Sequence, residues 1–352
     1  MGVTIEELGG WAAILHKLTE RRALTSDEAA AALTDVLAGN ATSAQIAGFI
    51  VALRMKGETV EEMSGLVRAM LAAAEPVVLS PDLQDRAVDV VGTGGDRSST
   101  INVSTLAAFV VAGAGVPVVK HGNRAASSTT GAADVLEALG VRIDVGPVGI
   151  ATCVEQAGMA FCFAPRFHSA MRHAGPVRRE LAVPTVFNFL GPLANPARVR
   201  RQVVGVSDPR MAERMIGVLA ANGSVRSIVV HGDDGLDELT TTTTSTVLDH
   251  EDGRPVRSYS VDPTELGLQP ARPGDLRGGT AAVNAGLARA VLGGERGPQR
   301  DIVLLNAAAG LVVAGVAHDL PDGLAQAERS IDSLAAVAAL EGLIKVSNAV
   351  PG

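Results

Sequence analysis

Ala87-Val88-Asp89-Val90-Val91 breaks into Gly92-Thr93-Gly94-Gly95-Asp96, and further on Val116-Pro117-Val118-Val119 breaks into Lys120-His121-Gly122-Asn123-Arg124. Two β-favouring runs therefore end in turns, one rich in glycine and one basic. Glycine lets backbone N–H groups approach an anion closely, and Lys120 and Arg124 add full positive charge. Together the two turns read as a phosphate cradle. Working outward, Val/Ile-rich runs at 87–91, 116–119, 141–145, 159–163, 202–206 and 226–231 alternate with Ala/Leu-rich stretches of helical character. That alternation predicts an α/β fold, a mostly parallel sheet flanked by helices.

The first 75 residues carry no strand pattern. Thr25-x-x-Glu28, Thr42-x-x-Gln45 and Thr59-x-x-Glu62 are successive capping boxes, and Gly39 and Gly57 stand where helices should stop. Between them Ile46, Phe49, Ile50 and Leu53 repeat at i, i+3, i+4, i+7, flanked by Leu33, Val36, Leu37 and by Met63, Leu66, Met70 at helical spacing. The expectation is a smaller all-helical N-terminal domain over 1–75, joined by helices from about 166–190 and able to form a homodimer. An α/β domain would take 85–165 and 191–352. Thr240 to Thr244 leads into Ser245-Thr246-Val247-Leu248 and reads as an ordered approach to a strand. The stretches 307–316 and 326–345 read as helices closing the sheet.

Charge and composition exclude several classes of partner. A net charge of −8 opposes nucleic-acid binding, which needs a basic surface to displace phosphate counterions. The longest nearly unbroken apolar stretch, 106–119, is interrupted by Gly113, Gly115 and Pro117 and falls short of the roughly 20 residues that span a bilayer. No secretory pattern opens the chain, so the expected location is the cytoplasm, with no membrane partner. Cys153 and Cys162 lie in apolar company outside any ligand spacing, as core thiols do.

Specific motifs narrow the chemistry. Gly92-x-Gly94 is not a dinucleotide fingerprint, because Arg97 stands where the third glycine belongs and no acidic residue follows near Pro117 to Lys120. No Gly-Lys pair exists to make a P-loop. His168 and His173 lack the glutamate of a zinc-protease pair. Asp96, Ser104 and Asp237-Glu238 supply oxygen ligands of the kind Mg²⁺ takes when it bridges to a substrate phosphate. Asp237-Glu238 follows the strand-like Ile228-Val229-Val230-His231, so three strand ends point to one crevice.

These residues in this order resemble the anthranilate phosphoribosyltransferase family, which shares its fold with the pyrimidine nucleoside phosphorylases. The resemblance rests on GTGGD at 92–96, Thr100 with Asn102-Val103-Ser104-Thr105, KHGNR with Ser127-Ser128, Phe163-Ala164-Pro165, Pro176-Val177-Arg178, the run from Phe187 to Pro196, and Gly235-Leu236-Asp237-Glu238. It spans nearly the whole chain. It implies transfer of the 5-phosphoribosyl group from phosphoribosyl pyrophosphate (PRPP) to the amino group of anthranilate, with Mg²⁺ as cofactor, in tryptophan biosynthesis. By position it implies that Gly92, Gly95, Asp96, Thr100, Asn102, Val103, Ser104, Thr105, Lys120, His121, Gly122, Asn123, Arg124, Ser127 and Ser128 hold PRPP. It also implies that Arg178 holds the anthranilate carboxylate, with Gly92, Asn123, His121 and His168 along the acceptor's path, and that Ser104, Asp237 and Glu238 are metal ligands. No residue is assigned as a general base.

The chain departs from the family pattern at four places. Arg97 replaces a common glycine, Ala132 a frequent serine and Ala182 a usual glycine, while Met171 stands where some members carry an aromatic. A nucleoside phosphorylase would have a different basic turn and an extra C-terminal domain. A silent, nucleic-acid-binding paralogue would need a basic surface and could drop the metal carboxylates, which this chain keeps. The same transfer to a substituted anthranilate remains open to the sequence.

Overall fold

The structure is a computed structural model and describes residues 3–125 and 129–350. Four helices open the chain: α1 (Gly10–Thr19), α2 (Ser26–Ala38), α3 (Ser43–Lys56) and α4 (Val60–Ala73). All three capping boxes form, the threonine accepting from the N–H of Glu28, Gln45 or Glu62, the third residue of the helix, whose side chain accepts in return from the threonine N–H. Each pair satisfies two donors that a helix start otherwise leaves orphaned. Helix α2 stops at Gly39 in the left-handed region (φ 80°) and α3 at Gly57 (φ 88°). Ile46, Phe49, Ile50 and Leu53 are buried among Leu33, Val36, Met63 and Leu66. Trp11 closes this core edge-on against Phe49 and donates to Asp35 Oδ2 at 2.7 Å. Short helical turns between Ala164 and Leu193 add Ala174, Val177, Val186, Phe187 and Leu190 to the same cluster.

The sheet comprises β1 (Val88–Gly92), β2 (Val118–Gly122), β3 (Met159–Phe163), β4 (Arg201–Gly205), β5 (Arg226–Gly232), β6 (Ser245–Glu251) and β7 (Arg257–Val261). Its order is β3-β2-β1-β4-β5-β6-β7; the first five run parallel, and β6 and β7 are antiparallel additions at one edge. One face buries Val88, Val90, Val118 and Val203 against the helices Val103–Gly113 and Pro298–Ala314. The other buries Val91, Val204 and Val229 in a cluster with the helix Pro209–Ala221, which packs on β5 and in turn on α4 of the helical bundle.

Three expectations need correction. Residues 141–145 form no strand: Val141, Ile143 and Val145 are buried in alternation, but the segment bonds to the C-terminal helix, Arg142 N–H to Ser347 Oγ at 3.2 Å. Alternation reports one buried face, and a ladder partner is a separate requirement. The stretch 326–345 is two helices, Leu320–Asp332 and Ala335–Ala349, broken at Leu334 in the left-handed region (φ 61°). Helix 307–316 stops at Ala314 before Gly315. Strand β7 went unforeseen because its exposed Arg257-Ser258-Tyr259-Ser260 has no apolar period. The threonine run is ordered, Thr240 and Thr242 donating to Asp234 and Thr244 to Asp233. Both cysteines are free and buried, and desolvation pushes the thiols up. Among the described residues no helix is long and apolar enough to cross a membrane.

Candidate functional site

Strand β1 is the point where the sheet order reverses, with β2 on one side and β4 on the other, and such a switch point opens a crevice at the carboxyl ends of the strands. The segment after β5 returns over this crevice. Asp237 Oδ2 accepts from Gly94 N at 2.6 Å, and Glu238 Oε1 accepts from Ser104 N at 3.1 Å at the start of the helix Val103–Gly113. Two glycines are required by this approach. A Cβ on Gly92 would overlap the Asp237 carboxylate, and one on Gly205, its partner across the sheet, would overlap the Asp237 carbonyl. Gly94 and Gly95 have positive φ (67° and 86°) and present backbone at the turn.

Electrostatics single out the same corner. Burial and the charge of Asp96 push the Asp237 carboxyl up to about 6, and burial and Asp237 push Glu238 well above the usual carboxylate range. Lys120 is buried behind them, its Nζ donating to Val90 O at 2.5 Å and Ser104 Oγ at 3.2 Å, and desolvation pulls its ammonium down. One lysine against several carboxylates leaves an excess of negative charge in a dry site, which a hard cation would neutralise. Among the described residues no three His, Cys, Asp or Glu side chains converge into a ready-made metal cage. An all-oxygen set with few protein ligands fits Mg²⁺, which prefers one or two carboxylates together with substrate phosphates.

The other expected residues divide. Asn123 and Arg124 are exposed on the basic turn after β2, but Arg124 is ion-paired, its Nη1 donating to Asp134 at 2.8 Å and Glu137 at 2.5 Å, with its guanidinium 5.5 Å from the Phe163 ring centre. Asn102 is held by Thr130 O and Asn284, and Thr100 bridges to Arg277, so both brace the glycine loop. The side chains of Val103 and Thr105 point into the core, so only their backbone is available to a ligand. Gly122 ends β2. Ser127 and Ser128 lie outside the described residues.

On the bundle side, Arg178 projects from the helix Gly175–Leu181, its guanidinium 5.2 Å over the Phe187 ring and with no carboxylate partner among the described residues; burial lowers its pKa. A desolvated cation with no anion of its own is a ready receptor for one. His121 and His168 lie beneath the surface, rings 5.2 Å apart, with His121 Nδ1 bonded to Gly191 O at 3.0 Å and His168 Nε2 to Ala194 O at 2.9 Å. Burial and His168 push His121 down to about 3, so both rings are neutral supports under the turn. Two departures from the family pattern share a cause: Arg97 (φ 58°) and Ala182 (φ 51°) both sit in the left-handed region that glycine favours, at about 1–2 kcal/mol each. Sequence reading passed over Asp89, Asn195 and Gly205; a carboxylate inside the apolar run 87–91 was the signal for the first.

Comparison with known proteins agrees along the whole length. A family model for a glycosyl transferase helical bundle domain matches residues 12–74, and one for a glycosyl transferase a/b domain matches 84–337. The chain is 54% identical to an anthranilate phosphoribosyltransferase of Salinispora arenicola, covering 97% of each, and 53% identical to that of Thermomicrobium roseum over 96% of this chain and 97% of the other. Among solved structures it resembles the Thermus thermophilus anthranilate phosphoribosyltransferase (TM-score 0.89, 41% identity, 95% of this chain and 99% of that one). It also resembles the Saccharomyces cerevisiae enzyme in complex with PRPP and Mg (TM-score 0.87, 28% identity, 97% and 98%).

Proposed function

Because the chain belongs to the anthranilate phosphoribosyltransferase family, we propose how its own residues divide the work of that family's reaction. The protein transfers the 5-phosphoribosyl group of PRPP to the amino group of anthranilate, giving N-(5-phosphoribosyl)anthranilate and pyrophosphate, in tryptophan biosynthesis. The bond from C1 of the ribose to the pyrophosphate oxygen breaks as the C1–N bond forms, and C1 passes through oxocarbenium character. The aniline nitrogen is unprotonated at neutral pH, so no strong base has to act before attack. The protein's task is to bind departing negative charge and to hold the nucleophile in line.

In this reading Gly92 and Gly95 offer backbone N–H groups to the pyrophosphate, with Thr100, Ser104 and the basic turn from Lys120 to Arg124 around the rest of the donor, while the Gly94 N–H stays on Asp237. Ser104, Asp237 and Glu238 would hold Mg²⁺, which supplies counter-charge to the leaving pyrophosphate. Lys120, engaged with Val90 O and Ser104, supports that end from behind. Arg178 would orient anthranilate through its carboxylate, and Asn123 would flank the ring. The unpaired, desolvated Arg178 is the observation that favours an acidic acceptor.

The domain division, 1–75 with 166–190 against 85–165 and 191–352, belongs to the same proposal. So does a homodimer through the helical unit, supported by Val51 and Met55 on the outer side of α3, Met55 being 72% exposed. We place the protein in the cytoplasm, with no nucleic-acid partner, on its acidity and its metabolic substrates. The test is a mixture of enzyme, PRPP, Mg²⁺ and anthranilate: anthranilate fluorescence should fall with equimolar pyrophosphate release and should persist when the metal is chelated. Undiminished fluorescence at high enzyme concentration would overturn the reading.

A further inference from the structure

Strands β1 and β2 carry the two turns of the donor site, yet their ladder ends almost as soon as it begins. Val88 N donates to Pro117 O at 3.0 Å and Val88 pairs with Val118, while on its other side β1 pairs with β4 through all five positions to Gly92. In a parallel ladder the next rungs after Val88 would be Val90 N to Val119 O and His121 N to Val90 O. Three of the groups in those rungs have side-chain partners instead. His121 N donates to Asp89 Oδ1 at 3.2 Å, Val119 O accepts from Asn195 Nδ2 at 2.8 Å, and Val90 O accepts from Lys120 Nζ at 2.5 Å.

Asn195 Nδ2 also donates to Asp89 Oδ2 at 2.9 Å, and Asn195 Oδ1 is fixed by Ala197 N at 2.9 Å. The Val90 N–H leans on the Asp89 carboxylate as well. Asp89 and Asn195 are both buried, so these polar groups have no water to fall back on. The four groups of those two rungs are therefore re-satisfied by the side chains of Asp89, Lys120 and Asn195.

We infer that Asp89 and Asn195 form a positioning pair, a wedge that holds β1 and β2 apart and sets the distance between the glycine turn and the basic turn across the PRPP pyrophosphate. This rests on the reading that both turns bind the donor. The wedge also ties that distance to the acceptor side, because the turn that carries Asn195 takes the His121 and His168 rings on Gly191 O and Ala194 O. Neither residue touches substrate in this account.

Isosteric exchanges test it. Asn195→Asp places a second carboxylate against Asp89 and strips Val119 O of its donor, while Asp89→Asn in the same chain restores an N–H between positions 89 and 195. Asn195→Asp should raise the KM for PRPP at least about tenfold, with the KM for anthranilate within about threefold, since a misplacement near 1 Å costs about 10²-fold in such sites. The double variant should recover part of the loss, because it relieves the repulsion of two carboxylates while Val119 O stays without its donor, a coupling that independent sites do not give. If Asn195→Asp is too unstable to assay, Asp89→Asn alone should show the same split, because it sets an amide donor against either His121 N or Asn195 Nδ2. Equal effects on both KM values, an unchanged PRPP KM, or a double variant worse than either single one would overturn the wedge. Arg124→Ala is measured beside them: if it too leaves the PRPP KM unchanged, the donor-site reading fails first.

Discussion

Gly205→Ala adds one methyl group behind the proposed metal site, and the structure sets a large effect for it. The new Cβ would lie at less than half the ordinary separation of about 3.5 Å from the Asp237 carbonyl oxygen, so Asp237 would have to retreat by about 2 Å. That exceeds the few tenths of an ångström a metal site tolerates, and a 1 Å error alone costs about 10²-fold, so kcat/KM should fall at least about 100-fold. Stability should change far less: overpacking costs about 1–3 kcal/mol, and the lost freedom of glycine in the unfolded chain returns about 0.4–1 kcal/mol of it. The melting temperature should therefore drop by only a few degrees. Gly158→Ala is the control, since Gly158 has φ 71° with nothing near its Cβ, giving strain of about 1–2 kcal/mol with full activity. Steady-state kinetics with a Mg²⁺ titration and a thermal melt on both variants decide the matter. Wild-type kcat/KM in Gly205→Ala would refute the claim that Asp237 must rest on a bare strand end.

Buried His121, held down to about 3 from 6.5, stays neutral in the fold while the unfolded chain takes up its proton. Stability present above pH 6.5 is thus lost as pH falls towards 3, at up to about 1.4 kcal/mol per pH unit. Urea unfolding at several pH values should give a shallower acid slope for His121→Asn, and equal slopes would contradict this. Val51→Asp with Met55→Glu should convert a dimer to a folded monomer in sedimentation; a dimer that persists moves the interface elsewhere. Asp237→Asn with Glu238→Gln should raise the Mg²⁺ concentration for half-maximal rate by at least about tenfold, whereas a normal titration would remove both residues from the metal site.

Local chemistry carried much of the fold into the sequence. Capping boxes at Thr25, Thr42 and Thr59 act within one turn, so the helix starts could be placed without tertiary information. The meeting of the glycine turn after β1 with the acidic pair at 237–238 was legible because both stand at the ends of apolar, strand-like runs, which a parallel sheet brings to one edge. What failed to show was relational. Residues 141–145 have the strand period but face the C-terminal helix, and β7 pairs through its backbone with only Val261 buried and Arg257 ion-paired to Asp249, which leaves no apolar period to read. Arg124 reads as a free cation until the helix Ala132–Leu139 brings Asp134 and Glu137 to it. The burial of His121 and His168 is not written in a histidine, and Gly205 explains itself only when Asp237 arrives from 32 residues away.

Arg178 decides whether the two halves of the site belong to one reaction. Arg178→Ala removes the only feature assigned to the acceptor carboxylate and touches nothing assigned to the donor. The account predicts that the KM for anthranilate rises by about 10²-fold, the loss expected for a charged hydrogen-bonded pair, while the KM for PRPP stays within about twofold. Equal changes in both constants, or an unaltered anthranilate KM, would contradict it.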